Sequence, residues 1–170
     1  MAQYDIRKIL DKLRDDYWKN VESAGAADRG QRTEMICFQL GAEICGFEVR
    51  HSRQVIKVPK IVPLPRSPEH ILGVINLRGQ IISVIDLARR MEIPGSQPGE
   101  ASKIIIVEYK GISTGFMVDS ILNLFETYEN DITPPPHTIT GQRREFLRGQ
   151  ITVGDALMMI LNLGRLLEVE

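Results

Sequence analysis

Cys37 and Cys45 are the only thiols in this sequence, and their spacing fits neither a zinc-ligand pair nor a redox Cys-x-x-Cys. Both lie in apolar runs, where an unpaired cysteine behaves as a small buried hydrophobe. If Gly41-Ala42 is a two-residue hairpin turn, position 45 pairs with position 38 and the thiols project from opposite faces. A three-residue loop would put them on the same face. His51, His70 and His137 are scattered through polar or Pro-rich stretches with no partner at ligand spacing, as surface histidines are. Asp86 and Asp119 close apolar runs and suit turn or cap hydrogen bonding. No Gly-rich phosphate loop leads to a lysine and no Ser or Cys sits in a nucleophile elbow. The expectation is a protein with no catalytic residues, no metal and no cofactor.

One side chain remains unexplained by structure alone. Asn76-Leu77-Arg78-Gly79-Gln80 has the Asn and Gly of a tight turn, but turn chemistry does not require Arg78. A guanidinium at a turn apex stands away from the sheet, where it can form a bidentate pair with a partner's carboxylate.

The elements that must hold Arg78 follow from composition and period. The 170 residues are 43% hydrophobic and 25% charged, the balance of a globular chain with a buried core. Lys and Arg number 21 against 22 Asp and Glu, with no run of like charge, so the electrostatic footprint of a nucleic-acid binder is missing. No apolar stretch approaches the roughly 20 residues that span a bilayer, and the charged amino terminus is unlike a signal peptide, so a cytoplasmic location is expected.

From Tyr4 to Val21, Ile6, Leu10, Leu13, Tyr17 and Val21 recur at three- and four-residue steps, with Ile9 and Trp18 widening the stripe. This predicts an amphipathic helix, tethered by the small and polar stretch Ser23–Gln31. Its alternating charges give it little attraction for anionic lipid. From Met35 the period falls to two, with Gly or Pro every eight to twelve residues, and helix is expected mainly before this point. The predicted strands are Met35–Leu40, Ile44–Val49, Gln54–Val58, Ile71–Leu77, Gln80–Ile85, Lys103–Tyr109, Ser113–Val118, Ile121–Tyr128, Phe146–Val153 and Ala156–Leu161.

These runs repeat. A shift of 69 lays Ile36–Leu40 on Ile105–Tyr109 and Cys45–Val49 on Thr114–Val118. A shift of 76 lays Leu72–Ile75 on Arg148–Ile151 and Ile82–Leu87 on Met158–Leu163. Val62-Pro63-Leu64-Pro65 and Thr133-Pro134-Pro135-Pro136 fall at equivalent places. The expected organisation is a helix and tether over 1–31, then a domain over 32–170 made of two similar five-stranded modules, about 35–97 and 103–168. Antiparallel strands in that number curl into small barrels that leave few edges. Small barrels also bind nucleic acid, or regulatory proteins of other kinds, so those readings stay as alternatives, although a basic-aromatic strand face is lacking.

At this point the sequence resembles the CheW family of bacterial chemosensory adaptors. The resemblance rests on Pro63-Leu64-Pro65, on Ile71–Leu87 with its Asn-Leu-Arg-Gly turn and Asp-Leu end, on Cys45–Val49, on Gly115–Asp119 and on Met159–Leu163. It implies an all-β fold of two SH3-like five-stranded barrels around a shared apolar seam. It also implies a non-catalytic adaptor of a bacterial two-component system, bridging the cytoplasmic tips of methyl-accepting chemoreceptors and the CheW-like regulatory domain of the histidine kinase CheA. Arg78 falls on the family's interface arginine, with Asn76, Leu77 and Gly79 around it. Where the family has Val-x-Glu-Val/Ile, this chain has Ser52-Arg53-Gln54-Val55. Gln54 then lacks the charge, and Ser52 the apolar contact, that the family presents to its partners, as expected of a divergent paralogue.

Overall fold

In the computed structural model, which describes residues 30–153 and 155–168 together with Arg14, the period-two runs form ten strands. They are β1 (Arg32–Leu40), β2 (Glu43–Glu48), β3 (Ser52–Lys57), β4 (Ile71–Leu77), β5 (Gln80–Asp86), β6 (Lys103–Tyr109), β7 (Ile112–Val118), β8 (Ser120–Tyr128), β9 (Leu147–Val153) and β10 (Ala156–Leu161). Every expected strand is present with its ends moved by no more than three residues. The helix expected over Tyr4–Val21 lies outside the described residues except for Arg14, which is helical.

Three short helices stand among the described residues besides the strands: α1 (Leu87–Arg90), α2 (Gly141–Glu145) and α3 (Leu163–Leu167). Four or five residues are too few for a helical period to register. Their caps carry the signal instead. The side chains of Asp86 and Asn162 accept hydrogen bonds from the backbone N–H groups of Arg89 and Arg165, at 3.2 Å each, opening α1 and α3.

Each sequence half supplies five strands, but the sheets do not follow the halves. One sheet has the order β8-β1-β2-β10-β9 and the other β3-β6-β7-β5-β4. The first hairpin, β1-β2, sits among the last three strands of the second half, and β6-β7 sits among β3, β4 and β5. The repeat holds residue by residue through this exchange. Cys37 opposite Gly46 recurs as Ile106 opposite Gly115, and the parallel pair Ser83–Thr114 recurs as Met159–Cys45. The bridge Val62–Val74 recurs as Thr133–Gln150. Next to that bridge, Gly73 at φ +146° leaves room for the Val62 carbonyl, which would lie 2.1 Å from any Cβ placed there.

Why the halves interleave follows from which faces are apolar. Along β1, Met35 and Cys37 enter the interior of one barrel with Ile151, Met158 and Ile160, while Ile36, Phe38 and Leu40 face the other way. Along β6, Ile104 and Ile106 fill the second barrel with Ile75, Ile82 and Val84, while Ile105 and Val107 face outward. Sheets apolar on both faces have to bury both. The outward faces meet in a seam centred on Phe38, Phe47 and Phe116, whose rings pack edge to face with centroids 5.7 and 6.2 Å apart. Each such ring contributes about 1.5–3 kcal/mol by burial.

Phe38 stands opposite Cys45, so Gly41-Ala42 is the two-residue turn, and the thiols part company: Cys37 in a barrel interior, Cys45 in the seam. Both are unpaired.

Candidate functional site

The β4–β5 hairpin closes on Leu77 opposite Gln80, leaving Arg78 and Gly79 as the turn. Both have positive φ, +51° and +85°, as a type I′ turn demands. Gly79 reaches that region without strain, whereas an arginine there costs about 1–2 kcal/mol. The side chain of Asn76 holds the geometry by accepting a hydrogen bond from the Gly79 N–H at 2.8 Å. Arg78 is exposed, and its guanidinium has no hydrogen-bond or ion-pair partner among the described residues. The strain is therefore not offset by any contact within the described fold.

Beside the turn lies an apolar surface that motif reasoning missed. Ile81 is opposite Asn76 and 65% exposed; Ile112, at the tip of the β6–β7 hairpin, is 54% exposed. Each lies two residues before the paired Ser83 and Thr114, so both belong to the same end of the sheet as Arg78. The signal was present in the alternation of β5, where Ile82 and Val84 point inward and Ile81 and Ser83 therefore point out. Leu77, by contrast, packs against the barrel interior and anchors the turn from below.

Ser52 and Gln54 are placed differently. They lie on β3, at the opposite edge of the sheet from β4, and are half-buried. Gln54 stands opposite Ile106 on the face that carries Ile56 into the barrel interior. The exposed residues of that strand are Arg53, Val55 and Lys57, and Arg53 pairs with Glu108 at 2.9 Å.

Arg148 bridges Glu48, at 2.8 Å, and Glu129, and Arg50 also pairs with Glu48, beside an open cleft of about 480 Å³. His51 lies against the Tyr109 ring, with centroids 5.3 Å apart. Desolvation, and then the nearby Arg50 charge, hold its pKa below the usual histidine value. Among the described residues no cluster of three or more His, Cys, Asp or Glu is arranged to hold a metal ion. No helix among them is long and apolar enough to cross a membrane.

Comparison with known proteins agrees with this architecture. Residues 34–170 match the family model described as the CheW-like domain. The chain is 28% identical over 144 residues to the chemotaxis protein CheW of Thermotoga maritima, covering 84% of this chain and 92% of that one. It is 29% identical over 115 residues to protein FrzA of Myxococcus xanthus, covering 68% and 72%. The crystal structure of the scaffolding protein TtCheW from Thermoanaerobacter tengcongensis superposes with a TM-score of 0.75 at 34% identity, over 86% of this chain and 95% of that one. With the family match spanning both barrels, the seam between them and the Arg78 turn, the chain belongs to the CheW family.

Proposed function

We propose that this chain couples methyl-accepting chemoreceptors to the histidine kinase CheA, binding one or both through the Arg78 turn and the isoleucines beside it. Membership of the family makes it a non-catalytic chemotaxis scaffold. The observation that carries the finer reading is Arg78 itself. An arginine held at φ +51° and exposed, with no partner among the described residues, is strain kept for a contact outside this fold. Ile81 and Ile112 supply apolar surface next to the charge, and a partner presenting a carboxylate within an apolar ring would satisfy both. Ser52 and Gln54, half-buried on the barrel-facing side of β3 at the far edge, lie away from this surface.

Arg78→Glu tests the reading. Reversing a desolvated charge contact costs about 2–5 kcal/mol, so affinity for the CheA regulatory domain or a receptor signalling fragment should fall at least about 30-fold while the melting temperature holds. Unchanged affinity for both partners, with binding by the parent verified, overturns it.

A further inference from the structure

The next hairpin along the sheet turns in the same way as the Arg78 hairpin. β6 and β7 close on Tyr109 opposite Ile112, leaving Lys110 and Gly111 at φ +49° and +79°, against +51° and +85° for Arg78 and Gly79. The first position of such a turn favours Asn, Asp or Gly, yet in both hairpins it holds a long cation. The fold does not require one there. At the equivalent positions of the repeat, shifted by 69 and 76 residues, the other barrel has Gly41 and Gly154.

β5 and β7 are parallel neighbours, so the turns that lead into them lie at one end of the sheet, two strand spacings or about 10 Å apart. Arg78 and Lys110 are both exposed, and Lys110 has no ion pair among the described residues; its ammonium stands 5.5 Å from the centroid of the Tyr109 ring. Neither Leu77–Ser83 nor Tyr109–Thr114 contains an Asp or Glu to offset the two charges. Ile81 and Ile112, exposed and level with each other on β5 and β7, fill the space between the turns with apolar surface.

We propose that Lys110 acts with Arg78 as a two-cation anchor for a protein surface bearing two carboxylates about 10 Å apart with an apolar side chain between them. This rests on reading Arg78 as a partner contact and adds Lys110 as a second determinant of which partner is bound. Covering Ile81 and Ile112 strips water from the cations beside them, and a partner without matching carboxylates would leave both charges uncompensated. A nucleic acid would meet the charges but offer the isoleucines little to pack against.

The test titrates the CheA regulatory domain and a receptor signalling fragment against the full chain. Lys110→Glu should weaken, at least about tenfold, the same partner that Arg78→Glu weakens, with no change in melting temperature. The two cations stand far enough apart for the losses to multiply in the double variant. Arg53→Met removes an exposed cation of the same sheet that Glu108 already engages, and should change affinity by less than about twofold. A loss with Arg78→Glu but not with Lys110→Glu would overturn the pairing and leave the Arg78 reading standing, whereas a loss with neither would overturn both. An Arg53→Met loss as large as that of Lys110→Met would reduce the anchor to general attraction and overturn it. So would tight binding of single-stranded DNA by the parent that the double variant loses, because the occupant would then be a nucleic acid.

Discussion

The carboxylate of Asp119 accepts a hydrogen bond from the backbone N–H of Gly41 at 2.7 Å, tying the end of β7 in one sheet to the β1–β2 turn of the other. Its second oxygen accepts from the Ser96 hydroxyl, bringing in the loop between the two sequence halves. Three segments distant in the chain thus meet at one side chain, beside the backbone hydrogen bond that the Asp119 N–H donates to the Gln39 carbonyl at 3.0 Å.

Asp119→Ala should therefore destabilise the fold by about 1.5–3 kcal/mol, the range for hydrogen bonds to a charged group, and leave the Gly41 N–H without its acceptor. Asp119→Asn keeps an acceptor oxygen and should lose less than half as much. Urea unfolding of the two variants measures the difference; equal losses would mean that the charge, and not the bond to Gly41, matters.

Arg78→Gly separates strain from contact. Glycine relieves the positive-φ cost of about 1–2 kcal/mol but returns about 0.4–1 kcal/mol through a more flexible unfolded chain. Stability should stay level or rise slightly while partner affinity falls. A clear drop in melting temperature would show that the arginine supports the fold instead.

All ten strands were legible because each alternates or runs apolar over five or more residues and ends at Gly, Pro or a polar pair. The repeat was legible for the same reason: Cys45–Val49 and Thr114–Val118 share both period and glycine. Which hairpin joins which sheet was not. That choice depends on β1 and β6 being apolar on both faces, and a run such as Met35–Phe38 shows that both faces are buried without naming what covers either. Within the site, Arg78 stood out because turn chemistry does not call for it, whereas Ile81 passed as one more strand isoleucine until its inward neighbours Ile82 and Val84 were fixed. Gln54 was singled out by comparison with a motif, and only the register against Ile106 puts it on the interior face.

Thiol reactivity gives a third prediction. Burial raises the Cys37 pKa to about 12, and burial followed by the nearby Glu43 charge raises Cys45 further. At pH 8 only about one Cys37 in ten thousand is thiolate, and the thiolate is the nucleophile. Native protein should resist iodoacetamide, with both residues labelling at the unfolded-chain rate multiplied by the unfolded fraction that urea titration gives. Labelling of Cys37 ahead of Cys45 would reveal that the barrel containing β8 opens before the seam does.

The exchange of hairpins between sheets makes a final, stronger demand on the chain. β1 and β2 find their neighbours β8 and β10 only in the second half, and β6 and β7 find β3 and β5 only in the first. A half alone would leave both edges of its hairpin unpaired and the apolar faces of Phe38 and Phe47, or of Phe116, open to water. Gly99 and Glu100 lie in the exposed connection between halves, where a break removes no strand. Fragments 1–99 and 100–170 should each lack near-ultraviolet dichroism and cooperative unfolding, and an equimolar mixture should recover both. Because the break makes assembly bimolecular, the midpoint of the mixture should rise with concentration. Concentration-independent cooperative unfolding of either fragment by itself would show that a half closes its own barrel, and the interleaved sheets would then not be what holds the fold together.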